Sequence, residues 1–209
     1  IIGIMLIVFV MFFPKGVSYG LTMLWHRWMQ RPIIWARRSL MKAMGASSKF
    51  AEVKGKKIHF LEHGEGKPVI MIHGNTGSAL WFEDVMDIKG LKVIVPDLPN
   101  CGYSDRIESA AMDDYADYML GLMDELSVKS AAVVAHSLGG AVAISMAARH
   151  PERVDRLMLI DPCPVSGLVT PEEHYPVIEL YKTSRDMMKA ALGAMTPGMK
   201  DDAKLDRLV

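Results

Sequence analysis

The sequence predicts an α/β fold: a mainly parallel sheet flanked by helices, with an apolar N-terminal helix before it and the start of a helical lid after it. Three observations carry this. First, four short apolar runs, KPVIMIHG, LKVIVPD, SAAVVAHS and RLMLIDP, end in polar or turn residues and read as strands buried on both faces. Second, helical patterns lie between them, and strand alternating with helix implies parallel strands with helices on both faces. Third, the residues with chemistry in them gather just after each run, beyond the carboxyl ends of the strands, where open parallel sheets build their sites.

The elements follow in order. FAEVKGKKIHFLEHG reads as a two-stranded hairpin turning at Gly55. Residues 79–88 form a plausible helix after the first run. Residues 113–126, DDYADYMLGLMDEL, give a stronger pattern: Asp113 and Asp114 suit a helix N-terminus, and Tyr115, Tyr118, Met119 and Leu122 share one face. Residues 139–149 form a third helix, stopped by Pro151. The rhythm ends at Pro164, and residues 171–195 read as helical and Met-rich. There is no internal repeat.

Composition narrows the function. The 209 residues carry 24 Lys plus Arg and 24 Asp plus Glu, so the net charge is zero and nucleic acid is not an expected partner. Two cysteines, Cys101 and Cys163, make no disulfide framework and fit a reducing compartment. No cofactor or metal is expected.

Residues 1–13, IIGIMLIVFVMFF, are apolar throughout. At ~1.5 Å per residue they span roughly 20 Å of a ~30 Å hydrocarbon core. A membrane anchor over residues 1–16 is the favoured reading; the alternatives are a signal-peptide core and a buried helix. Residues 17–48 follow as a basic, aromatic juxtamembrane segment. Three of the four tryptophans, Trp25, Trp28 and Trp35, sit there among Arg27, Arg31, Arg37 and Arg38. Membrane lipid is thus an expected partner, with the globular part cytoplasmic. The core is expected over residues 49–163 and the lid from 164 to 209.

Ser137 stands between a strand and a helix with almost no loop, in AVVAHSLGGAV. Such a turn forces the serine into strained backbone and lifts its hydroxyl above the sheet edge. Small neighbours are needed two before and two after, and Ala135 and Gly139 supply them. The Leu138 N–H, at the helix N-terminus, is then aimed where an oxyanion would form. The second donor comes from the turn after VIMIHG: the Asn75 amide, with Thr76 the alternative. Gly74, Thr76 and His136 are expected to meet the substrate. Asp97 and Ser104 are expected to hold loops, and Trp81 to pack beneath the site.

HGNTGSALW, PDLPNCGYSD, AHSLGGAVA and LMLIDP, in that order, resemble the serine-nucleophile branch of the α/β-hydrolase fold over about residues 50–195. Two positions depart from the family pattern: Ala135 replaces Gly in the elbow, and Asn100 replaces Gly after PDLP. Both substitutes suit the geometry, Ala by size and Asn by its tolerance of left-handed backbone. The resemblance implies acyl transfer to water: Ser137 attacks a carbonyl, an acyl-enzyme forms, and water releases it. Serine at 137 argues against the branches that use Asp, the haloalkane dehalogenases and epoxide hydrolases.

In the family the triad acid and histidine usually follow later strands, so both are expected beyond residue 209. The chain reads as a fragment, inactive as it stands. Asp161 is the one candidate acid within it, its alternative role being to cap the start of the lid. None of the seven histidines occupies the place expected of the base. The expected function is a serine hydrolase acting on an ester, thioester or related acyl compound; the alternative is a non-catalytic, membrane-tethered binding module of the same fold.

Overall fold

The computed structural model describes residues 46–164, 170–196, 198–199 and 202–208. The anchor and nearly all of the juxtamembrane segment expected from the sequence lie outside these residues. No helix among the described residues is long and apolar enough to cross a membrane.

Six strands form one sheet: β1 (Ser47–Val53), β2 (Lys56–His63), β3 (Lys67–Ile72), β4 (Leu91–Pro96), β5 (Ala131–His136) and β6 (Val154–Ile160), in the order β1-β2-β4-β3-β5-β6. The first described strand starts at Ser47. β1 and β2 form the expected hairpin, closed by Lys54 and Gly55 at φ 50° and 73°. Two consecutive left-handed residues match the right-handed twist of the strands they join. β2 runs antiparallel to β4, and β4, β3, β5 and β6 are mutually parallel.

Two helices connect the parallel strands. α1 (Met112–Glu125) precedes β5, and α2 (Leu138–Arg149) follows it. Tyr115, Met119 and Leu122 are buried as their spacing predicts, with Ala116, Leu120 and Met123 beside them. α1 and α2 share one core with Val53, Ile58, Phe60, Ile70, Ile72, Ile94, Val133 and Ala135. Those strand residues alternate along their chains, so they form a single face of the sheet. Both helices therefore cover the same face, not one face each. On the other face Leu61, Val69, Met71, Val93 and Val95 are buried as well. Of the four expected strands, β5 is thus buried on one face and only half-buried on the other, while β3 and β4 meet the expectation of two buried faces.

β6 does not. Leu157, Met158, Leu159 and Ile160 are between 36% and 61% exposed. Among the described residues β6 is an edge strand, and little packs across it.

Residues 79–85 form a 3₁₀ helix in place of the expected α-helix. The helical stretch after residue 171 divides into α3 (Tyr175–Thr183) and α4 (Arg185–Met195), and α5 (Asp202–Leu208) follows. The break falls at Ser184, whose hydroxyl accepts from the Met187 amide as an N-cap. Met188, Leu192 and Leu205 of this helical layer form a small core with Trp81 of the 3₁₀ helix. An ion pair between Lys204 and Asp84 links the same two elements.

Met119 is 1% exposed in the α1 core. Met119→Ala is expected to lower stability by about 2–5 kcal/mol. Asp155→Ala, at an exposed position on β6, is expected to stay within about 0.5 kcal/mol. Urea unfolding of the two variants checks both.

Candidate active site

β5 ends at His136 and α2 begins at Leu138, so Ser137 alone makes the turn. Its φ is 51° and its ψ is −118°. A non-glycine residue held there costs about 1–3 kcal/mol of strain and persists only where its surroundings fix it. They do. The Ser137 N–H donates to the Ile160 carbonyl at 3.1 Å, and the Ser137 carbonyl accepts from Gly140 at 2.8 Å and Cys163 at 2.9 Å. The end of β6 thus clasps the turn.

Three glycines leave room for it. A Cβ on Gly139 would lie 2.5 Å from the His73 carbonyl oxygen and 2.6 Å from that of Ile72. One on Gly140 would lie 2.7 Å from Pro162 Cβ. One on Gly74 would lie 2.9 Å from Ser137 Cβ and 2.8 Å from His136 Nδ1. The helix start therefore rests directly on the end of β3, and the turn after β3 comes up against the serine. Ala135 is fully buried in β5 and fits the elbow position expected of Gly.

The turn after β3 holds the two amides weighed from sequence. The Gly77 N–H donates to the Gly74 carbonyl at 3.2 Å, and Thr76 takes φ 60°. The Thr76 amide donates to the Asn75 Oδ1 at 3.0 Å, and the Thr76 hydroxyl to the Asn75 carbonyl at 2.6 Å. Of the two amides weighed from sequence, Thr76's is therefore occupied. The Asn75 amide has no acceptor among the described residues. The Leu138 amide opens α2, where the first turn has no intrahelical acceptor. The Leu138 amide next to Ser137, and the Asn75 amide one residue past Gly74, thus have no acceptor among the described residues.

His73 is closed to proton transfer. Its Nδ1–H donates to the Gly74 carbonyl at 2.7 Å, and its Nε2 accepts from the Leu98 amide at 3.0 Å. Burial holds its pKa below the usual imidazole value, though the Gly74 carbonyl and the Asp97 charge pull the other way. A neutral ring with both nitrogens engaged is a strut.

Asp97 ties the surrounding loops together. It is 1% exposed. Its Oδ1 accepts from the Ala79 amide at 2.6 Å, and its Oδ2 from the Tyr103 amide at 2.8 Å. His59 Nδ1 lies 2.8 Å from the same Oδ2, and His59 Nε2 lies 2.8 Å from the Ser48 hydroxyl. The Ser104 hydroxyl donates to the Asp97 carbonyl and accepts from the His59 amide. Gly102, at φ 52°, leaves the space the carboxylate fills. Asn100, at φ 69°, takes the left-handed position expected of it. Burial alone would raise the Asp97 pKa; hydrogen bonds from His59 and the two amides, with the His59 charge, bring it below the ordinary carboxylate value of 3.8. Burial beside Asp97 pushes the Cys101 thiol up to about 11. That removes Cys101 as a thiolate nucleophile at neutral pH.

Asp161 sits one residue past β6, exposed, at φ 44°. It adjoins the strand end that clasps the elbow, but no described histidine is bonded to it or to the Ser137 hydroxyl. The structure thus brings together Ser137, Leu138, Asn75, Gly74 and His136, sets Asp161 beside them, and takes up the Thr76 amide within its own turn. Sequence reasoning missed His59 as the partner of Asp97. The available signal was a histidine alternating with Ile58 and Phe60, which points it to the opposite face of β2.

Two results follow from this geometry. Gly139→Ala is expected to destabilise the fold by about 1–3 kcal/mol, because its methyl meets fixed backbone carbonyls; thermal melting checks it. Asp97→Asn is expected to lower stability at pH 7 by about 3 kcal/mol by breaking a buried charged network. The Asp97 pKa is depressed in the folded state, so its contribution is complete above pH 4 or so and lost as pH falls through the folded value. Denaturant titrations from pH 7 to pH 2 should therefore show a shallower loss of stability in the Asn variant.

The family model described as alpha/beta hydrolase fold matches residues 67–205, more than half of the chain. Over 123 residues the chain is 37% identical to a 2-hydroxymuconate semialdehyde hydrolase from Pseudomonas sp., covering 56% of this chain and 44% of that protein. Over 145 residues it is 30% identical to a haloalkane dehalogenase from Sphingobium indicum, covering 65% and 49%. It superposes on the meta-cleavage product hydrolase CumD of Pseudomonas fluorescens IP01 with TM-score 0.57 at 30% identity, covering 69% of this chain and 55% of that one. The chain spans about half the length, or less, of the curated relatives it matches. With four parallel strands, a strained strand–turn–helix and a matching family model, the chain belongs to the α/β-hydrolase fold family.

Proposed function

We propose that the protein is a serine hydrolase acting on an ester, thioester or related acyl substrate through an acyl-enzyme. The observation that carries this is Ser137 held at positive φ beside the turn of Gly74 and Asn75, with the Leu138 and Asn75 amides lacking an acceptor among the described residues. In this reading the Ser137 hydroxyl attacks the substrate carbonyl. The two amides take the developing negative charge on its oxygen, a task worth about 3–4 kcal/mol of transition-state stabilisation per donor. The dipole at the start of α2 adds to them. Gly74 and His136 shape the wall against which the acyl group lies. The attack requires a base and an orienting acid; Asp161 is the acid candidate within the chain. The relatives named as hydrolases support the reaction class. Serine at 137 favours acyl transfer over the halide chemistry in the name of the Sphingobium relative.

A second reading is a non-catalytic binding module. It is favoured by one observation: no described histidine is bonded to Ser137. For either reading we propose lipid association through the apolar and Trp/Arg-rich sequence of residues 1–44, with the globular part on the cytoplasmic side.

The two readings separate in one experiment on the full-length protein. The hydrolase reading expects covalent labelling by a fluorophosphonate probe, abolished in Ser137→Ala, with ester turnover down by 10⁴-fold or so. Labelling that persists in the Ala variant, or none in the parent, rejects it.

A further inference from the structure

Three side chains beside the β1–β2 hairpin stand in hydrogen-bond series. The Ser48 hydroxyl lies 2.8 Å from His59 Nε2, and His59 Nδ1 lies 2.8 Å from Asp97 Oδ2. A hydroxyl on a base, with the base on a carboxylate, is the pattern that activates a serine. The loops that Asp97 braces are held by its bonds to Ala79, Tyr103 and His59, and none of these uses the Ser48 hydroxyl.

Strand register builds the series. Ser48 pairs with Leu61 and Phe50 with His59, so all four side chains share one face of the ribbon and Ser48 is the diagonal neighbour of His59. Phe60 opposite Pro96 sets β2 against the end of β4, where Asp97 follows.

The proton positions follow from the partners. Asp97 is ionised at neutral pH, and a carboxylate only accepts hydrogen bonds, so the His59 proton sits on Nδ1. In the neutral ring Nε2 is then a bare acceptor for the Ser48 O–H. The Ala79 and Tyr103 amides, at 2.6 Å and 2.8 Å, keep the carboxylate from turning away. A proton arriving at Nε2 would make an imidazolium beside a fixed negative charge, with both groups out of water: His59 is 3% exposed and Asp97 1%. Ser48 itself is only half-buried. The base is shielded from solvent and the serine is not.

We propose that Ser48 is a second nucleophile, activated by His59 and Asp97, which takes the acyl group from small acyl compounds whose leaving group departs as a stabilised anion. The assignment is independent of the role given to Ser137. In the step, the Ser48 oxygen bonds to the acyl carbon and its proton passes to His59 Nε2. The bond from that carbon to the leaving group breaks, and the departing anion takes the electron pair and then the proton, which restores the neutral ring. The class of donor follows from the surroundings. Ser48 lies within a strand and lacks the helix-start amide and dipole beside Ser137, so the leaving group must depart unaided. The Phe50 and Tyr103 rings, 5.0 Å and 5.1 Å from the imidazole and both well exposed, give an apolar rim that suits a short acyl chain.

The test treats full-length Ser137→Ala protein with p-nitrophenyl acetate at neutral pH, quenches with acid and maps acetyl groups by peptide mass spectrometry. Ser127, exposed on a turn, is the internal reference. Ser48 should acetylate about a hundredfold faster than Ser127, and His59→Gln should remove most of that excess. Ser48 reacting no faster than Ser127 overturns the assignment, as does a His59→Gln protein that acetylates Ser48 at the original rate. Should the Gln variant fail to fold, the ratio of the two serines is measured again in denaturing urea. An excess lost on unfolding supports the folded constellation, and one that survives overturns it. Ser48 and Ser137 fall in separate peptides, so the two assignments stand or fall independently.

Discussion

The site depends on one steric constraint: backbone must touch backbone where β3, β5 and β6 end. Ser137 holds φ 51° only because its neighbours come close enough to bond its amide and carbonyl on both sides. That approach needs hydrogen in place of side chains at Gly74, Gly139 and Gly140. A methyl group at any of these meets another atom inside 3 Å. Close packing at three glycines thus holds a strained serine at the turn. Strain of this kind persists only where the surroundings over-determine it.

A second constraint acts from beneath. Asp97 gathers the start of the 3₁₀ helix, the loop at Tyr103 and the His59 ring onto one buried carboxylate. His73, neutral and bonded through both nitrogens, joins the turn after β3 to the Leu98 amide. Neither residue is hydrogen-bonded to the serine among the described residues. Together they fix the two loops that frame it, and through the 3₁₀ helix they fix Trp81 and the helices packed on it. Polar groups this well satisfied in the interior specify a geometry more than they add stability.

Much of this was legible in the residues. Period-2 and period-3.6 patterns located the hairpin, the four apolar strands and helices α1 and α2, because burial of one face leaves its period in the sequence. The elbow was legible because a small-residue frame around a serine after an apolar run has few structural solutions. Asn100 could be read as left-handed from its side chain alone. What was not legible depends on contacts distant in sequence. LMLI in β6 signals burial, yet in the described residues it is exposed, since an apolar run says nothing of which element covers it. Residues 79–85 tighten into a 3₁₀ helix whose first amide is held by Asp97, eighteen positions away. His59 meets Asp97 only through the β2–β4 register, which pairs Phe60 with Pro96. From sequence Asn75 is the candidate donor and Thr76 the alternative; that the Asn75 side chain accepts from its neighbour's amide was not legible there.

Glycine positions hold the turn, and the turn leaves two amides without an acceptor among the described residues; in the proposed function these amides take negative charge on the substrate oxygen. The most direct test is a crystal structure of the full-length protein inactivated by an alkyl fluorophosphonate. The account predicts phosphorus bonded to Ser137 Oγ, with the phosphonyl oxygen about 2.7–3.1 Å from both the Asn75 and Leu138 nitrogens. Phosphorus on another side chain, or on Ser137 with its oxygen turned away from those amides, would contradict it.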